Sequence, residues 1–531
     1  MPGTLGLRVR GEPLLSALLA VAIGIPLVVF GPPAGDLPAH LYRTELVREG
    51  VLLWDTFWYA GHYPLASYSL LYYFPAALVG NELLTLLAVA GSAALFASLA
   101  VGKWGALARW PSRAFALAAC GPLFTGTYAY ALGVLALLAC VKALQLRRTW
   151  LALLCAALTL GFSPLAFLFL SIVLLAVFVV RGRMDRVALA LGAGLLLLGA
   201  LQGALALLFP LDGRYPFFRA GELAAVLALS LLAGALALRA PGGRVLAALF
   251  ALWALAALVA FAVPSPIGEN VTRLRGVALP LALLAAALAG YRPRWLAVPV
   301  VLAGLVYTLT PYVAVIPYRT DGRPAERAFW EPALAFLQAH ASPDHRVEVV
   351  PTGDHWEAYW LPHEGFPLAR GWYRQLDIAR NPLFYEAPLQ PVAYRSWLRS
   401  VGVRYVVLPD TQLGRVGEER EAALLRSGRS GLREVFSSET ATIWELPEAT
   451  PILSGPGAAR LTLLGHERVA GETESSGSYR LAVRYTPYWR IDEGDVCVER
   501  APDGMTTLVV RRAGDFALGV GLFDRGAGGC P

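Results

Sequence analysis

The sequence GDLPAHLYRTELVREGVLLWDTFWYAGHYPLASYSLLYY, residues 35–73, is unlike the apolar sequence on either side of it. It forms most of a segment at residues 31–80, which we call the first loop. The segment holds two Trp and six Tyr residues, and residues 74–313 after it consist mostly of Leu, Ala, Val and Gly. This concentration of ionisable groups predicts that the functional site lies in the first loop. Its acids, histidines and arginines are Asp36, His40, Arg43, Glu45, Arg48, Glu49, Asp55 and His62.

The composition predicts that most of the chain lies in a lipid bilayer. The 531 residues are 56% hydrophobic and 16% charged, with a mean hydropathy of +0.54. Soluble domains carry about 25% charged residues. Serial apolar segments fill residues 13–313, whereas residues 318–531 have ordinary soluble composition. We therefore expect a helical membrane bundle at 1–317, an α/β domain at 318–448 and a β-sandwich-like domain at 449–531. The net charge of +7 is carried mostly by loop arginines, so it does not indicate a nucleic-acid partner.

The apolar segments predict a polytopic α-helical protein with about eleven membrane spans. Charged residues or turn residues bound each segment. Several segments are short, so neighbouring pairs such as 114–145 and 149–180 are also compatible with helical hairpins or broken helices. The predicted spans are 13–30, 81–101, 114–125, 129–145, 149–162, 164–180, 187–209, 221–238, 245–263, 276–290 and 295–313.

Positive charge in alternate loops predicts the orientation of these spans. Cytoplasmic loops of membrane proteins are enriched in Lys and Arg. If the N-terminus is cytoplasmic, each of the five even-numbered connections is basic, and the first loop and the C-terminal domains lie outside the cytoplasm. The sequence therefore predicts a multi-pass protein of the bacterial cytoplasmic membrane. The basic residues are Lys103, Arg109, Arg113, Arg147, Arg148, Arg181, Arg183, Arg186, Arg239, Arg244, Arg292 and Arg294.

Arginines in the outer loops break this rule. Arg273 and Arg275 lie at the start of a predicted span, in the sequence PSPIGENVTRLRG. An arginine at the outer edge of a bundle needs an acid or a phosphate as partner. Two interpretations remain open: pairing with Glu269 or lipid headgroups, and binding of a substrate phosphate.

The C-terminal part shows a change of pattern. Residues 324–341 predict an amphipathic helix, and RVEVVP (346–351), RYVVLP (404–409) and ATIWELP (441–447) predict strands. From residue 459 onward, short alternating runs separated by Gly, Ser and Asp favour a β-sandwich. Cys497 and Cys530 could pair there in an oxidising compartment. No nucleotide-binding, GxSxG or zinc-helix motif is present.

Asp36 is the candidate catalytic residue of the first loop. A carboxylate just beyond the first span can act as a general base or bind a divalent cation such as Mg, Mn or Ca, and no other cofactor is expected. If the segment is helical, Asp36, His40 and Arg43 share one face. The alternatives are that Asp36 caps a helix or pairs with Arg43.

Aromatic residues in the second half of the first loop suggest a saccharide ligand. Trp58 and Tyr63 could stack on sugar rings, although a membrane-interface belt is equally compatible. Asp55 and His62 are additional polar candidates. The segment GDHWEAYWLPHEGFPLARGWYRQLD, residues 353–377, could cover the site, bind a glycan acceptor or form the core of the α/β domain.

DLPAHLYR (36–43) followed by WDTFWYAGHYPLASYSLLYY (54–73) resembles the GT-C superfamily of polytopic membrane glycosyltransferases. The similarity is greatest to the bacterial 6-pyruvoyl-tetrahydropterin-synthase-related membrane proteins, and it extends to ARGWYRQLD (369–377) and GVRYVVLP (402–409). The resemblance implies a GT-C-like fold, a polyprenyl-phosphate or pyrophosphate sugar donor, and a glycan, lipid or protein acceptor. It implies that Asp36 is the catalytic base, with Arg273 and Arg275, assisted by Arg43, holding the phosphate. Many members have two adjacent acids, whereas Leu37 follows Asp36 here, which puts a two-carboxylate metal site in doubt.

Two other functions are compatible with the sequence. A transporter or flippase of lipid-linked glycans is disfavoured, because the predicted spans contain almost no acids or histidines for ion coupling. A non-catalytic scaffold of the cell envelope predicts that Asp36, Arg273 and Arg275 can be replaced without consequence. Glycosyl transfer in polysaccharide biosynthesis is the function that the sequence favours.

Overall fold

The computed structural model describes residues 11–210, 213–215, 217, 219–315, 321–386, 388–414 and 417–530. The first ten residues of the predicted membrane bundle lie outside these ranges, as does its predicted boundary at residues 317–318. The chain divides into two compact units. The membrane unit comprises Met1–Gly35, Tyr68–Pro210 and Arg214–Pro317, and the sheet unit comprises Asp36–Ser67, Leu211–Gly213 and Tyr318–Pro531. Most of the first loop thus belongs to the same unit as the C-terminal residues.

Helices account for nearly all of the described membrane unit and for part of the sheet unit. In chain order the helices are α1 (Glu12–Phe30), α2 (Leu37–Arg48), α3 (Tyr73–Val79), α4 (Asn81–Trp104), α5 (Arg109–Ala118), α6 (Gly121–Thr125), α7 (Tyr128–Gln145), α8 (Thr149–Phe162), α9 (Pro164–Arg181), α10 (Arg186–Leu208), α11 (Ala220–Leu238), α12 (Arg244–Ala262), α13 (Ala278–Leu288), α14 (Arg294–Val315), α15 (Arg327–His340), α16 (Glu357–His363), α17 (Arg374–Arg380), α18 (Pro391–Ser400) and α19 (Glu418–Arg426). Helices of the 3₁₀ type lie at Gly105–Ala108, Gly268–Val277, Arg323–Ala325 and Pro382–Phe384.

The membrane unit is built from apolar helices. Eight helical segments in the described residues are long and apolar enough to cross a membrane, and the chain is accordingly a polytopic helical membrane protein. Helices occupy all eleven predicted segments, but several are short or merge with a neighbour, so the number eleven stays a prediction. The eight segments are Glu12–Phe30, Asn81–Thr125, Tyr128–Gln145, Pro164–Arg181, Arg186–Leu208, Ala220–Leu238, Arg244–Ala262 and Gly268–Leu288.

Small side chains let these helices approach one another closely. Ala20, Ala93 and Ala116 are fully buried in the core of the membrane unit. In lipid, where no hydrophobic force drives helices together, close packing of small residues is a main source of association. The free cysteines Cys120, Cys140 and Cys155 are buried in the same core, which is the packing role expected for small residues in apolar spans.

A buried ion pair joins the start of α1 to α5. The Glu12 side chain is 1% exposed and accepts hydrogen bonds from Arg113 Nε at 2.7 Å and Arg109 Nε at 3.3 Å. An acid at the beginning of a span is stable there because two guanidiniums compensate its charge. The contact brings the first residues of α1 to two arginines of the first predicted cytoplasmic connection.

The sheet unit begins with a mixed four-stranded sheet. Its strands are β1 (Arg346–Val349), β2 (Val403–Pro409), β3 (Arg433–Ser437) and β4 (Ala441–Glu445), in the order β1-β2-β4-β3. β1 and β2 run parallel, as expected for strands joined by a long helical crossover, and the other pairs are antiparallel. The three strands predicted from 346–351, 404–409 and 441–447 are confirmed, and β3 is an additional strand.

Two four-stranded antiparallel sheets follow, as the alternating sequence pattern predicts. One has the order β10-β11-β8-β5 and the other the order β6-β7-β12-β9. Cys497 on β10 forms a disulfide with Cys530. The strands are β5 (Leu453–Ser454), β6 (Ala459–Leu464), β7 (Arg468–Thr473), β8 (Gly477–Arg484), β9 (Trp489–Glu493), β10 (Val496–Arg500), β11 (Met505–Val510) and β12 (Gly514–Val520).

Arg370 lies among three acids in the interior of the sheet unit. Its Nε donates to Glu348 Oε1 at 2.7 Å, it also bonds Glu421, and Nη1 lies 3.7 Å from Asp377 Oδ2. Burial raises the pKa of Glu348 well above its usual range, although the Arg370 charge acts in the opposite direction. Removing one partner of a buried ion pair leaves the charge of the other partner uncompensated. A carboxyl group that burial keeps protonated carries no charge.

We therefore expect Arg370→Met to lower the free energy of unfolding by about 3–5 kcal/mol, because Asp377 loses its counter-charge and Glu348 and Glu421 lose their hydrogen-bond donor. Glu348→Gln keeps an oxygen for Arg370 and should change it by less than about 1 kcal/mol. Denaturant titrations of the purified protein in detergent would measure both values. Equal losses in the two variants would contradict the proposed charge distribution.

Candidate functional site

Asp36 stands at the start of α2, shortly after α1 ends at Phe30. It occupies the residue before the helix and is half-buried. Its carboxylate accepts no hydrogen bond from the amides of the first helical turn, and its backbone oxygen accepts from the His40 amide at 3.2 Å. Helix capping by the side chain, which was the main alternative to a chemical role, is therefore not observed.

The next two predicted residues lie on one face of α2. His40 and Arg43 are one turn apart, and both are buried. The Arg43 guanidinium lies over three aromatic rings, at 5.4 Å from the Trp58 centroid, 5.2 Å from Trp372 and 4.5 Å from Tyr373. A guanidinium that is removed from water is stabilised by the negative faces of such rings. In this arrangement Arg43 is an interior cation of the sheet unit.

Asp55 is the centre of a buried polar cluster. Its side chain is 0% exposed and accepts hydrogen bonds from Tyr42 Oη at 3.0 Å and from the Phe57 amide at 2.9 Å. His466 Nδ1 lies 2.9 Å from Oδ1, and His62 Nδ1 lies 3.5 Å from Oδ2. Every contact lies within the sheet unit, and we call these five residues the Asp55 cluster.

The charges in this cluster set the protonation of its members. Burial alone raises the pKa of Asp55, but the His466 hydrogen bond and the nearby imidazoles outweigh it and hold the value below the usual range. Burial lowers the pKa of His466, yet the hydrogen bond and charge of Asp55 raise it above 6.5 overall. For His62 burial prevails, and with the charges of Arg43 and Arg380 it lowers the pKa to about 4. Asp55 and His466 thus form an ion pair near pH 6, while His62 is neutral.

His466 has the arrangement of a proton-transfer residue as well as a structural one. Asp55 orients its Nδ1, and its Nε2 lies 3.8 Å from Glu49 Oε2, with 18% of the side chain exposed. A buried carboxylate that accepts from Nδ1 holds the imidazole in one orientation and leaves Nε2 as the nitrogen that can exchange a proton. The sequence analysis missed His466, because a single histidine between two alternating runs gives no signal of its own.

A turn between β6 and β7 holds the first loop. Glu467 Oε1 accepts hydrogen bonds from three consecutive amides, at 3.2, 2.8 and 3.2 Å. Thr56 donates its hydroxyl to the Gly465 oxygen at 2.6 Å and its amide to the His466 oxygen at 3.2 Å. The backbone groups of this loop are therefore satisfied by the turn at 465–467, as buried backbone requires. The three amides belong to Leu52, Leu53 and Trp54.

The predicted aromatic ligands of a sugar are interior residues. Trp58 is 0% exposed, and its ring stacks on His62 at 5.5 Å and packs against Tyr42 at 4.5 Å. Tyr63 is 5% exposed and its hydroxyl lies 3.0 Å from Thr486 Oγ1. These faces are occupied, so the stacking surface expected at Trp58 and Tyr63 is not presented in this structure. The signal was misleading because sequence alone does not separate core aromatics from binding aromatics.

In the membrane unit, Arg273 and Arg275 have different surroundings. Arg275 Nη1 lies 3.0 Å from Glu222 Oε2, whereas Glu269 pairs with Arg219 at 3.1 Å. Pairing of Arg275 with an acid was expected, but the acid is Glu222 and not Glu269. Arg273 is half-buried and makes no hydrogen bond or ion pair with another described residue.

No protein-family model matches the sequence, and no curated protein matches it. One matching solved structure is the crystal structure of ArnT from Cupriavidus metallidurans bound to undecaprenyl phosphate. The sequences are 13% identical, the TM-score is 0.40, and the match covers 82% of this chain and 98% of that chain.

Within the described part of the chain, no group of three or more His, Cys, Asp or Glu side chains is arranged to hold a metal ion. Leu37 follows Asp36, so no second carboxylate is adjacent to Asp36 in the sequence.

The Asp55–His466 pair predicts a pH-dependent contribution to stability. A histidine whose folded pKa is raised stabilises the fold below its unfolded pKa of about 6.5 and loses that effect as pH rises through the folded pKa. A lowered aspartate pKa stabilises the fold above about 4 and fails as pH falls below it. We therefore expect His466→Gln to lower the melting temperature more at pH 6 than at pH 9.

Thermal unfolding of wild-type and variant protein at both pH values would measure this difference. His340→Gln is the matched control, because the exposed His340 ring bonds only to its own helix through the Phe336 oxygen. A loss for His466→Gln that is the same at both pH values would show that the ion pair is not the source of stability.

Proposed function

We propose that this protein is a GT-C-type glycosyltransferase of the bacterial cytoplasmic membrane, which uses a polyprenyl-phosphate or pyrophosphate sugar as donor and a glycan, lipid or protein as acceptor. The observation that carries the proposal is the position of Asp36. It follows the first membrane helix, begins α2, and does not use its side chain to cap that helix. The resemblance of residues 36–43 and 54–73 to the same superfamily supports this assignment. The first loop and the sheet unit are proposed to lie outside the cytoplasm.

The reaction requires a base and a group that binds the departing phosphate. Asp36 accepts the proton of the acceptor hydroxyl, and the hydroxyl oxygen bonds to the anomeric carbon of the sugar. The bond between that carbon and the phosphate oxygen breaks, and the electron pair leaves with the phosphate. Single displacement of this kind inverts the configuration at the anomeric carbon.

Arg273 is the better phosphate ligand of the two outer arginines. The Arg275 guanidinium already pairs with Glu222, so a phosphate would have to compete with a carboxylate. Arg273 has no such partner among the described residues, and a half-buried guanidinium binds phosphate strongly. Arg43, held among aromatic rings, is proposed to act on substrate only through the position of α2.

Replacement of Asp36 tests the catalytic assignment. Asp36→Asn should reduce sugar transfer at least about 100-fold, because an amide cannot accept the proton. The measurement is transfer of radiolabel to membrane acceptors from a panel of decaprenyl-phosphate pentoses and hexoses. Expression and melting temperature should be unchanged.

Glu439→Gln is the control, since Glu439 is an exposed acid in the turn between β3 and β4. Normal transfer by Asp36→Asn would refute the role of Asp36. Transfer by neither wild-type protein nor variants, with any donor of the panel, would refute the proposed activity.

Replacement of the two arginines separates binding from stability. Arg273→Gln should lower kcat/KM for the donor at least about 10-fold, with a higher KM and a lower kcat, because the contact to the departing phosphate is lost. Arg275→Gln should mainly lower the melting temperature, because it leaves Glu222 without its counter-charge. Arg183→Gln, in an exposed loop, provides the control. Equal KM values for Arg273→Gln and wild type would remove Arg273 from the donor site.

A further inference from the structure

α16 carries a cluster of partly exposed aromatic rings on one face. Tyr359 and Trp360 are half-buried, and the His363 side chain is 37% exposed. The Tyr359 and His363 rings stack with centroids 5.3 Å apart, and Trp360 packs against them at 4.9 and 5.9 Å. The three residues are spaced so that they share one side of the helix. We call them the α16 platform.

Buried residues on other sides of α16 fix the platform in place. Ala358 and Leu361 are buried, and the Ala358 oxygen accepts a hydrogen bond from Trp58 Nε1 at 3.1 Å. Trp356, the buried residue before the helix, stacks on the Trp360 ring with centroids 6.5 Å apart. The platform therefore rests on the interior of the sheet unit. Rings that are held on a rigid element lose little entropy when a ligand stacks on them.

Charged side chains of both signs border the platform. Glu45 Oε1 lies 2.6 Å from His363 Nδ1, and the Glu45 side chain is 24% exposed. Burial and the charge of Glu45 raise the pKa of Tyr359 above its usual value. The charge of the exposed Arg48 opposes this rise. Glu364, beside the helix end, pairs with Arg327 at 2.7 Å.

We infer that the α16 platform is a binding site for a saccharide, the acceptor glycan of the proposed transfer. Aromatic faces cover the apolar C–H face of a pyranose ring. Carboxylates accept hydrogen bonds from its hydroxyls, and guanidinium groups donate hydrogen bonds to them. The combination of stacked rings with Glu45, Arg48 and Glu364 supplies both kinds of contact on one surface. Trp58 and Tyr63 lack such a surface because they are buried.

This inference rests on the proposed function where it calls the saccharide an acceptor. The binding of a saccharide to the platform does not depend on that function. A saccharide can be bound in the absence of any donor. Binding and transfer can therefore be measured separately, and failure of one does not imply failure of the other.

The test uses the full-length protein in lipid nanodiscs and four oligosaccharides: cellohexaose, maltohexaose, mannohexaose and chitohexaose. Intrinsic tryptophan fluorescence should show saturable binding of at least one of them. Trp360→Ala should weaken that binding at least 10-fold, and Tyr359→Phe, which keeps the ring, should change it less than 3-fold. Phe523→Ala is the control, because Phe523 is 96% exposed elsewhere in the sheet unit.

Unchanged affinity in Trp360→Ala, or no binding of any of the four oligosaccharides, would overturn the inference. Quenching of Trp360 by brominated phospholipid in the nanodisc, identified by its loss in Trp360→Phe, would instead assign the platform to the membrane surface. Where Trp360→Ala lowers the melting temperature, Trp360→Phe with its smaller ring serves as the second variant and should weaken binding 2- to 5-fold. Loss of transfer in Asp36→Asn together with absent oligosaccharide binding would reject the platform and keep the glycosyltransferase.

Discussion

The sheet unit depends on the contact between the turn at 465–467 and the first loop. One carboxylate oxygen of Glu467 accepts from three consecutive loop amides, and His466 pairs with the buried Asp55 next to them. A loop with ionisable groups in the interior is stable only if its backbone and its charges find partners. The turn supplies both within three residues. Residues 52–56 of the first loop are thereby held within the sheet unit, even though more than 400 residues separate them from the turn in sequence.

The same constraint explains the unusual backbone that follows Trp58. Tyr59 and Ala60 have φ values of 57° and 59°, in the left-handed region that non-glycine residues rarely adopt. The Tyr59 hydroxyl donates to the oxygens of Gly371 and Tyr373 at 2.7 and 2.9 Å, which holds the turn from the opposite side. At Gly61, with φ of 135°, a side chain would collide with the Trp54 ring. Strain of this kind persists only where surrounding contacts determine the conformation. The loop that begins at Asp36 is consequently a fixed element.

Periodicity predicted the elements of this fold, because helices and strands are decided by residues close together in sequence. The apolar segments became helices, and RVEVVP, RYVVLP and ATIWELP became β1, β2 and β4. The site was only partly predictable. Asp36, Arg43, Asp55 and His62 were found as ionisable residues, but the roles of Asp55 and His62 depend on His466, whose position follows from the tertiary fold. Trp58 was misread for the same reason: burial is decided by residues from distant segments, such as Ala358 and Tyr373.

Several buried charges in both units are paired with charges of the opposite sign. In the membrane unit, Glu12 and Glu222 are each compensated by arginines, and in the sheet unit Asp55 and Arg370 are compensated within the interior. Such pairs contribute more to specificity of the fold than to reactivity, because each charge is already neutralised at short range. Asp36 is half-buried at the residue before α2, and its side chain does not cap that helix. We propose it for the proton transfer because it follows the first membrane helix at the beginning of a fixed loop, where a carboxylate can act as a general base.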